Sequence, residues 1–378
     1  MYHIVIIGTG LAGYSLAREI RRLNTEKSIL LITADDGVNY SKPMLSNALG
    51  QNKTPEQLAI STARAMTETL QAEIRTHAFV ERIDTEIQQL WLQDEAIEYE
   101  NLVLAVGAAP IHIPVEGNGA QDVLSVNNLT DYHLFRQKLQ NAERVAISGP
   151  GLIGCEFAND LLNAHKQVHV IGPDQYALSS LLPNTIGLEL QEKLQEAGIQ
   201  WHLQTTIAKI DKKADAYQVY LNNGEQLEVD LVLSAVGLRP DIHLAQQVGL
   251  KTNRGIVANT YLKTSVDNIY ALGDCVEMNG QNLLYIAPLM NGAKALAKTL
   301  TGEATEINYP TVPITVKTPL YPLNILLPDA QATGEWHIDK TENSLEARFE
   351  SKSGQLLGFI LAQDAVKKRM TYIKQLSA

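Results

Sequence analysis

The first 33 residues alternate between apolar runs and one amphipathic stretch. Residues 3–8 (HIVIIG) and 29–33 (ILLIT) are nearly continuous apolar runs, which are typical of strands buried on both faces of a parallel sheet. Between them, apolar and basic residues recur at helical spacing. The residues predicted to face inward are Leu16, Ile20 and Leu23, and those predicted to face outward are Arg18, Arg21 and Arg22. The pattern predicts a β-α-β unit.

A glycine-rich loop joins the first predicted strand to this helix. Its residues are Gly8, Thr9, Gly10, Leu11, Ala12 and Gly13, which form the pattern G-x-G-x-x-G. The first glycine permits a tight turn, the second lets a pyrophosphate approach the backbone, and the third lets the helix pack on the strand. Because the loop has its required strand-turn-helix context, it predicts dinucleotide binding.

Dinucleotide sites of this kind use an acidic residue near the end of the second strand to bind the ribose. That strand ends in Thr33, Ala34 and Asp35. Asp35 is the candidate acid, with a solvated loop residue as the alternative interpretation. Thr33 or Ala34 could instead bind the ribose through backbone contacts.

The same pattern recurs in the middle of the chain. Apolar residues 145–148 precede a second glycine-rich loop, and residues 168–171 form the next apolar run. The loop consists of Gly149, Pro150, Gly151, Leu152, Ile153 and Gly154. Segments 102–107 and 231–237 also resemble one another and follow in the same order. Two copies of one dinucleotide fold are therefore predicted, and a flavin with a nicotinamide is the natural pair because hydride transfer needs both.

The composition, net charge and cysteine count of the chain exclude several classes of function. Of 378 residues, 45% are hydrophobic and 19% are charged, an ordinary mixture for globular domains. The net charge of −11 disfavours a general binder of nucleic acid or anionic membranes. Two cysteines, Cys155 and Cys275, are too few for a disulfide framework or a four-cysteine metal site. The nine histidines show no metal-ligand spacing, so no metal is expected.

The N-terminal apolar run predicts neither export nor membrane insertion. It has no basic leader and is only one strand long, so we predict no signal peptide. No apolar stretch reaches the length of about 18 residues that a transmembrane helix needs. We therefore expect a cytoplasmic protein.

Five motifs follow one another in a fixed order along residues 1–300. They are Gly8–Gly13, Leu102–Gly107, Gly149–Glu156, Val236–Pro240 and Ile269–Asp274. In this combination and order they resemble the two-dinucleotide-binding flavoproteins, the pyridine nucleotide–disulfide oxidoreductase superfamily. The resemblance implies that the first loop binds FAD and the second binds NAD(P)H.

The resemblance also implies an α/β fold with two Rossmann-like domains. The FAD domain would be discontinuous, formed by residues 1–110 and 241–312, with the NAD(P)H domain, residues 111–240, inserted between its parts. Residues 313–378, which contain several prolines and short apolar stretches, are predicted to form a small α+β C-terminal domain. Since the flavin carries the chemistry, no side chain is expected to be obligatory for catalysis.

Cysteines separate the branches of this superfamily. Disulfide reductases and the related peroxidases and oxidases carry a redox cysteine shortly after the second strand, whereas residues 39–47 (NYSKPMLSN) contain none. Residues 40–46 instead resemble the branch that reduces rubredoxin or small iron–sulfur proteins. That resemblance implies transfer of electrons from NADH through FAD to rubredoxin, a small acidic iron protein. Asn47 stands where this branch has a lysine.

Several FAD contacts are implied by the resemblance. Lys42 stands where the branch has an arginine and is expected to support the flavin's phosphates or ring, unless it is a solvated loop lysine. Val80 matches a backbone contact to adenine, with an ordinary strand residue as the alternative. Asp274 matches a ligand of the ribityl chain, and Ala287 begins a helix whose N-terminus faces the flavin.

Two further charged residues are assigned in the same way. Glu156 is expected near the flavin–nicotinamide junction, with an acid that satisfies the helix dipole as the alternative. Lys317 is expected near the isoalloxazine, where a cation stabilises the reduced anionic flavin, with a surface lysine as the alternative.

The NADH site is predicted on the second loop. The residues assigned to it are Gly149, Gly151, Leu152, Ile153 and Gly154. Gly172 stands where the family often has a glutamate for the ribose, and Asp174 is close but not aligned. No arginine follows before Leu181 to receive a 2′-phosphate, which favours NADH over NADPH.

The C-terminal residues carry a local basic cluster. One predicted helix contains Asp364, Lys367, Lys368, Arg369 and Lys374. Lys367, Lys368 and Arg369 are predicted to dock a small acidic electron carrier, because local attraction would steer association. A solvated helix is the alternative interpretation.

Three functions agree with these motifs. The branch resemblance implies an NADH-dependent flavoprotein reductase for rubredoxin, which could supply an alkane hydroxylase or an oxygen-detoxifying system. A ferredoxin reductase component of an oxygenase would share every motif. A non-catalytic flavoprotein that senses NADH is the alternative from a different class.

Overall fold

The chain forms two compact units, each of which contains one glycine-rich loop. The computed structural model describes residues 1–282, 284–307, 312–329 and 331–376. Unit 1 contains residues 1–42, 56–109 and the described part of 238–310. Unit 2 contains residues 43–55, 110–237 and the described part of 311–378. The boundaries predicted for three domains stay a prediction.

A seven-stranded sheet forms the centre of unit 1. In spatial order its strands are Glu73–Arg75, Ile29–Ile32, Tyr2–Ile7, Glu95–Leu104, Gln89–Leu92 and Arg82–Asp84, with Ile269–Ala271 paired to Glu95–Leu104. The first four strands and Ile269–Ala271 pair in parallel, and the other two pair antiparallel. Residues 4–6 and 30–32 are completely buried, as expected of apolar strands covered on both faces.

Helices complete the core of unit 1. They are Leu11–Leu23, Ala63–Leu70, His243–Gln247 and Ile286–Leu300. Helices Leu11–Leu23 and Ile286–Leu300 pack against each other, and their apolar residues join one core with the sheet. The short strand pairs of the chain are Asn39–Tyr40 with Ala59–Ser61, Ala108–Pro110 with Leu238–Pro240, and Ile256–Val257 with Val276–Glu277. A single helical turn spans Pro55–Leu58.

Unit 2 contains three sheets. A parallel sheet has the spatial order Ile199–Leu203, Gln167–Gly172, Arg144–Ser148 and Leu231–Ser234. An antiparallel sheet consists of Ile207–Lys212, Tyr217–Leu221 and Gln226–Val229. A five-stranded antiparallel sheet has the order Ile314–Val316, Leu323–Leu326, Leu356–Gln363, Ser344–Glu350 and Glu335–Thr341.

The helices of unit 2 lie before, between or after these strands in the sequence. The α-helices are Leu129–Leu139, Leu152–Asn163, Asn184–Glu196 and Arg369–Leu376. The 3-10 helices of the chain are Lys42–Asn47, Ala120–Asp122 and Asp364–Lys368. Helix Arg369–Leu376 packs on strand Leu356–Gln363, which gives the C-terminal residues the α+β character that was predicted.

The two predicted copies have the same topology. Strand Tyr2–Ile7 lies between Ile29–Ile32 and Glu95–Leu104. In the same way, strand Arg144–Ser148 lies between Gln167–Gly172 and Leu231–Ser234. All of these pairings are parallel. The predicted α/β class with two dinucleotide-binding folds is confirmed.

Three predictions for the first helix are wrong, and one of them concerns Arg18, which is half-buried although it was predicted to face outward. Leu23 is not inward but half exposed, because it is the last residue of helix Leu11–Leu23. Arg21, predicted outward, is half-buried. Its guanidinium donates to the carbonyls of Leu70 at 2.6 Å and Lys27 at 2.9 Å. Arg21 thus satisfies backbone acceptors at helix ends and loops, a need that hydrophobic periodicity does not report.

The predicted C-terminal helix is also wrong in part. Asp364, Lys367 and Lys368 belong to a 3-10 helix, and the α-helix begins only at Arg369. Gln363, which precedes this turn, has a positive φ of 56°. The backbone therefore changes direction between the last strand and the basic cluster.

None of the helices in the described ranges has the length and apolar character that crossing a membrane requires. The same residues contain no group of three or more histidine, cysteine or acidic side chains placed to bind a metal ion.

Candidate functional site

Close backbone packing shapes the first glycine-rich loop. Gly8 has a φ of +112°, and a Cβ there would lie 2.2 Å from the carbonyl oxygen of Ala105. A Cβ on Gly13 would lie 1.9 Å from the carbonyl oxygen of Gly8. A Cβ on Gly10, by contrast, would meet nothing within 4 Å. The outer glycines are required by packing, and the middle one leaves open space where a phosphate could approach the backbone.

The second loop repeats this geometry. Gly149 has a φ of +115°, and a Cβ there would lie 2.6 Å from the carbonyl oxygen of Ala235. A Cβ on Gly154 would lie 1.8 Å from the carbonyl oxygen of Gly149, while Gly151 faces open space. Ile153 is exposed beside this loop and offers an apolar surface to a ligand. The structure therefore fits a second dinucleotide here.

Helix N-termini near these loops have no side-chain cap. Helices starting at Leu11, Leu152 and Ile286 follow residues whose side chains accept no hydrogen bond from the helix. Two other helices are capped by the side chains of Thr62 and Asn128, whereas Asn184–Glu196 and His243–Gln247 also begin without a side-chain cap. Because the first N–H groups of a helix need acceptors and carry partial positive charge, the uncapped ends suit phosphates or polar ring atoms.

The helix predicted to begin at Ala287 begins one residue earlier, at Ile286, so Ala287 is its second residue. The Tyr285 side chain at the N-cap makes no capping hydrogen bond. Ala287 therefore lies where its backbone is near the positive end of a 15-residue helix. Whether its neighbour is the flavin stays a prediction.

The three candidate ribose residues lie directly after strand Ile29–Ile32. Thr33 is buried, whereas Ala34 and Asp35 are exposed. Asp35 Oδ1 accepts hydrogen bonds from the Thr33 hydroxyl at 2.6 Å and the Gly37 N–H at 2.9 Å. These bonds fix one carboxylate oxygen within the turn, so only the other is available to a ligand.

Val80 lies in a loop rather than a strand. It is half-buried and packs against the core of unit 1. The loop is attached to the ribose turn, since the Ala78 N–H donates to the Thr33 carbonyl at 2.9 Å. The strand interpretation of Val80 is therefore wrong, and a backbone contact from this loop stays a prediction.

Lys42 and Asp274, which are distant in sequence, lie together in unit 1. Lys42 Nζ is 3.9 Å from Asp274 Oδ2. Burial raises the pKa of the Asp274 carboxyl, and the Lys42 charge partly offsets this shift. No hydrogen bond reaches this carboxylate from the described part of the chain. A half-buried carboxylate without such a hydrogen bond can accept one from a ligand hydroxyl, which fits the predicted ribityl contact.

Glu156 and Lys317 lie together in unit 2. Glu156 is completely buried, and its Oε2 lies 2.8 Å from Lys317 Nζ. Its Oε1 accepts the Lys317 backbone N–H at 2.9 Å, and its Oε2 also accepts the Ser46 hydroxyl at 2.5 Å. Lys317 Nζ donates to Ser46 Oγ at 2.8 Å and to the Pro43 carbonyl. The surface-lysine interpretation of Lys317 is therefore wrong, because its ammonium is bound by three oxygen groups.

Sequence reasoning missed Ser46, Asn159 and Asp160 in this region. Asn159 and Asp160 are buried on the helix that carries Glu156. Asp160 accepts two backbone N–H groups, and Asn159 accepts one. A polar pair inside an otherwise apolar helix was the available signal, since buried polar groups need partners.

Packing at the end of strand Gln167–Gly172 explains why position 172 is a glycine where the family often has a glutamate. A Cβ on Gly172 would lie 2.2 Å from Cδ of Pro150. A glutamate therefore has no room there while proline occupies the second loop. Asp174, two residues later, is half-buried and accepts a hydrogen bond from the Ser179 hydroxyl.

The predicted docking residues differ in how they are bound. Lys367 Nζ is 2.5 Å from Asp364 Oδ1, and both side chains are well exposed. Lys368 Nζ is 2.6 Å from Oε1 of Glu346, whose side chain is mostly buried. Arg369 is half-buried. Lys367 therefore presents its charge most openly, and Lys368 has a structural partner as well.

Both cysteines are buried and free. Burial raises the pKa of the Cys155 and Cys275 thiols to about 12. Because the thiolate is the reactive form, neither thiol is a nucleophile at neutral pH. This confirms the prediction that both are small buried residues.

Two family models match the chain. The pyridine nucleotide-disulphide oxidoreductase model matches residues 2–295, and the rubredoxin binding C-terminal domain model matches residues 306–376. Together they extend over the two dinucleotide folds and the C-terminal sheet.

Full-length relatives agree with these matches. The chain is 45% identical to the rubredoxin-NAD(+) reductase of Acinetobacter baylyi, over 99% of this chain and 98% of that protein. It is 44% identical to the rubredoxin-NAD(+) reductase of Alcanivorax borkumensis, over 100% and 99%. A solved ferredoxin reductase from Rhodopseudomonas palustris superposes with a TM-score of 0.88 at 26% identity, covering 98% of this chain and 94% of that one.

Proposed function

Because the chain belongs to the pyridine nucleotide-disulphide oxidoreductase family, we propose that it is an FAD-dependent enzyme that oxidises NADH and reduces rubredoxin. The observation that carries this proposal is the full-length identity of 44–45% with rubredoxin-NAD(+) reductases. The match of residues 306–376 to a rubredoxin-binding domain supports the same partner. The enzyme is thus a rubredoxin–NAD(+) reductase that uses FAD and NADH.

The first loop and its surroundings would bind FAD. The open space at Gly10 and the uncapped helix at Leu11 suit its pyrophosphate. Asp274 would accept a ribityl hydroxyl, with Lys42 balancing its charge. Asp35 would offer its free carboxylate oxygen to the ribose. The second loop would bind NADH through Gly151 in the same manner.

The chemistry of the reaction is supplied by the cofactor. When bound, FAD would supply the chemistry that couples a two-electron hydride donor, NADH, to a one-electron iron protein. The residues of this chain bind, orient and set charge. Lys317 supplies a cation whose position is fixed by Glu156 and Ser46. Since both thiols are buried, no cysteine lies on the route.

Lys367, Lys368 and Arg369 are proposed to steer rubredoxin to the C-terminal residues. Their charges oppose the −11 net charge of the chain, so an acidic partner would be attracted locally. The exposed ammonium of Lys367 supports this assignment most directly.

Anaerobic stopped-flow spectroscopy tests the proposal. The flavin is reduced with NADH and then mixed with oxidised rubredoxin or, separately, with a [2Fe–2S] ferredoxin. Fast reoxidation by rubredoxin alone is expected. Preference for ferredoxin would support the second candidate, a ferredoxin reductase, which the structural likeness to the Rhodopseudomonas palustris enzyme favours. Slow reaction with both would overturn the electron-transfer proposal.

The cytoplasm is the proposed compartment, because NADH is regenerated there. Cell fractionation followed by immunodetection tests this, and recovery outside the cytoplasmic fraction would contradict it.

A further inference from the structure

One turn of helix Leu152–Asn163 carries three polar side chains that are almost fully buried. Glu156, Asn159 and Asp160 are 0%, 1% and 3% exposed. Glu156 binds Lys317, and Asn159 Oδ1 accepts the backbone N–H of Leu320 at 3.2 Å. Asp160 belongs to neither predicted dinucleotide site. A buried ionisable group without a role in the proposed reaction needs another explanation.

Asp160 binds the backbone of a different segment. Its Oδ2 accepts the N–H of Leu49 at 2.8 Å, and its Oδ1 accepts the N–H of Gly50 at 2.7 Å. Hydrogen bonds from N–H groups to an ionised carboxylate are stronger than neutral ones. Two of them, one to each oxygen, fix both the distance and the direction of the segment.

Gly50 is required for this approach. A Cβ at position 50 would lie 2.9 Å from Asp160 Oδ1 and 3.1 Å from Asn163 Cβ. Any larger residue would push the segment away from the carboxylate. The lack of a side chain at Gly50 therefore allows its backbone to reach the Asp160 carboxylate.

The same segment reaches Lys317 a few residues earlier. Ser46 Oγ and the Pro43 carbonyl both accept hydrogen bonds from Lys317 Nζ. The segment from Pro43 to Gly50 is short, and residues 42–47 form a 3-10 helix. A displacement at Gly50 would therefore move Ser46 and Pro43, and with them the ammonium.

We propose that Asp160 is a positioning residue, whose ionised carboxylate fixes residues 43–50 and so places the Lys317 ammonium. The inference deepens the proposed function, on which it rests, because that function uses the Lys317 ammonium as a cation of fixed position. Asp160 acts through Leu49, Gly50 and Ser46 and touches neither dinucleotide.

The ionisation of Asp160 makes this positioning dependent on pH. Burial raises the pKa of the Asp160 carboxyl to about 6, although hydrogen bonds from Gly50 and Leu49 oppose the shift. The positive charges of Lys317 and Arg136 oppose it too. The anion, with an acceptor on each oxygen, is present above this pKa and is lost as pH falls through it.

Two other titratable groups lie near Asp160, one on a neighbouring helix and one on its own helix. Tyr132 lies on helix Leu129–Leu139, and the Asp160 charge contributes to raising the pKa of its phenol. Glu156 lies one turn earlier on the helix of Asp160. The phenol stays protonated through the range in which Asp160 titrates, so a step near pH 6 would not come from Tyr132.

The first test compares Asp160→Asn with the natural holoenzyme, using reduction of the bound flavin by NADH without rubredoxin. In the natural enzyme the rate is expected to fall about tenfold as pH drops from about 8 to about 5, with an inflection near the pKa of Asp160. In Asp160→Asn the rate is expected to be low throughout, with no inflection. An inflection that persists unchanged in the variant would overturn the proposal.

Glu277→Gln is the matched control. Glu277 is also buried, and its carboxylate accepts the N–H groups of Arg254 at 2.7 Å and Gly255 at 3.0 Å. Glu277 thus binds a loop of unit 1 through backbone N–H donors, as Asp160 binds residues 49 and 50 in unit 2. Glu277→Gln is expected to keep the inflection in the rate of flavin reduction. If both variants lose this inflection, its loss is a general effect of removing a buried acid, and the proposal for Asp160 is overturned.

Amide hydrogen exchange supplies a readout other than activity. Peptides that span residues 43–55 are expected to exchange about tenfold faster in Asp160→Asn and in Gly50→Ala, because the opening of the segment costs less free energy. Gly50→Ala keeps the acid and therefore tests the contact if Asp160→Asn does not fold. Unchanged exchange in a folded variant would overturn the proposal. A natural enzyme that fails to reduce rubredoxin would refute the proposed function but leave this exchange result standing.

Discussion

The two glycine-rich loops share one backbone geometry but differ at the end of the neighbouring strand. In each copy, the first glycine donates its N–H to the carbonyl of the last matched strand residue, Ile32 or Ile171, at 2.8 Å. The next residue is Thr33 in unit 1 and Gly172 in unit 2. Thr33 carries a buried side chain, whereas Gly172 has no room for one against Pro150.

This register also aligns the two acids. Asp35 and Asp174 both lie three residues after the matched strand positions. Each accepts a hydrogen bond from a nearby hydroxyl, from Thr33 in one copy and Ser179 in the other. The loop positions proposed to face a pyrophosphate therefore have the same backbone geometry in both copies. The positions that would select one nucleotide over another have diverged.

The largest expected effect is a loss of stability at Gly154, the glycine of the second loop that packing requires. In Gly154→Ala the new methyl would overlap the Gly149 carbonyl oxygen, since its Cβ would lie 1.8 Å away. The free energy of unfolding should fall by about 3 kcal/mol, because overpacking forces the backbone to shift. Chemical denaturation of the full chain, followed by circular dichroism, measures this change.

Gly151→Ala is the contrasting variant. Because its Cβ would meet nothing within 4 Å, the fold should keep its stability. The affinity for NADH should nevertheless fall, since the methyl occupies the space proposed for a phosphate. Equal stability losses in Gly154→Ala and Gly151→Ala would refute the assignment of packing and binding roles.

A smaller effect is expected at the predicted ribityl ligand in unit 1. Asp274→Ala should weaken FAD binding by about 2 kcal/mol, because a buried hydrogen bond to the cofactor is lost. The flavin-to-protein absorbance ratio after dialysis measures occupancy. Asp267→Ala is the control, because the Asp267 side chain is fully exposed and pairs with Lys263 at 3.4 Å. Full flavin content in Asp274→Ala would contradict the proposed contact.

Local patterns predicted the loops and strands because their physical causes are local. The spacing of glycines, the apolar runs of residues 3–8 and 29–33 and the helix between them all lie within one β-α-β unit. Helix ends were predicted less well. Arg21 is half-buried because its guanidinium satisfies backbone carbonyls of loops, and periodicity contains no information about those acceptors.

The buried cluster of unit 2 could not be predicted for the opposite reason. Ser46 and Glu156 are 110 residues apart in sequence, and Leu320 and Asn159 are 161 residues apart. Only the folded chain brings these partners together. The family resemblance identified Glu156 and Lys317, but nothing in the sequence assigned Ser46 to the lysine.

A still smaller effect is expected for nucleotide choice. If Asp174 takes the role of the missing glutamate at Gly172, Asp174→Ala should raise KM for NADH about fivefold with kcat unchanged, because one hydrogen-bonding partner is lost. Gly172→Glu should weaken NADH binding too, through its clash with Pro150. Steady-state kinetics with NADH and NADPH measures KM for both variants. An unchanged KM for NADH in Asp174→Ala would contradict a role of Asp174 in nucleotide binding.

The smallest expected effect concerns the C-terminal residues of unit 2, which lie outside the two matched copies. Lys367→Glu should slow rubredoxin reduction about threefold at low ionic strength, because the exposed charge steers an acidic partner and is screened by salt. Lys368→Glu is a less clean variant, since it also breaks the 2.6 Å pair with Glu346. Flavin reduction by NADH should stay unchanged in Lys367→Glu. A rate with rubredoxin that is unaffected at every salt concentration would place the docking surface elsewhere, and the rubredoxin-binding match would then depend on other residues of 306–376.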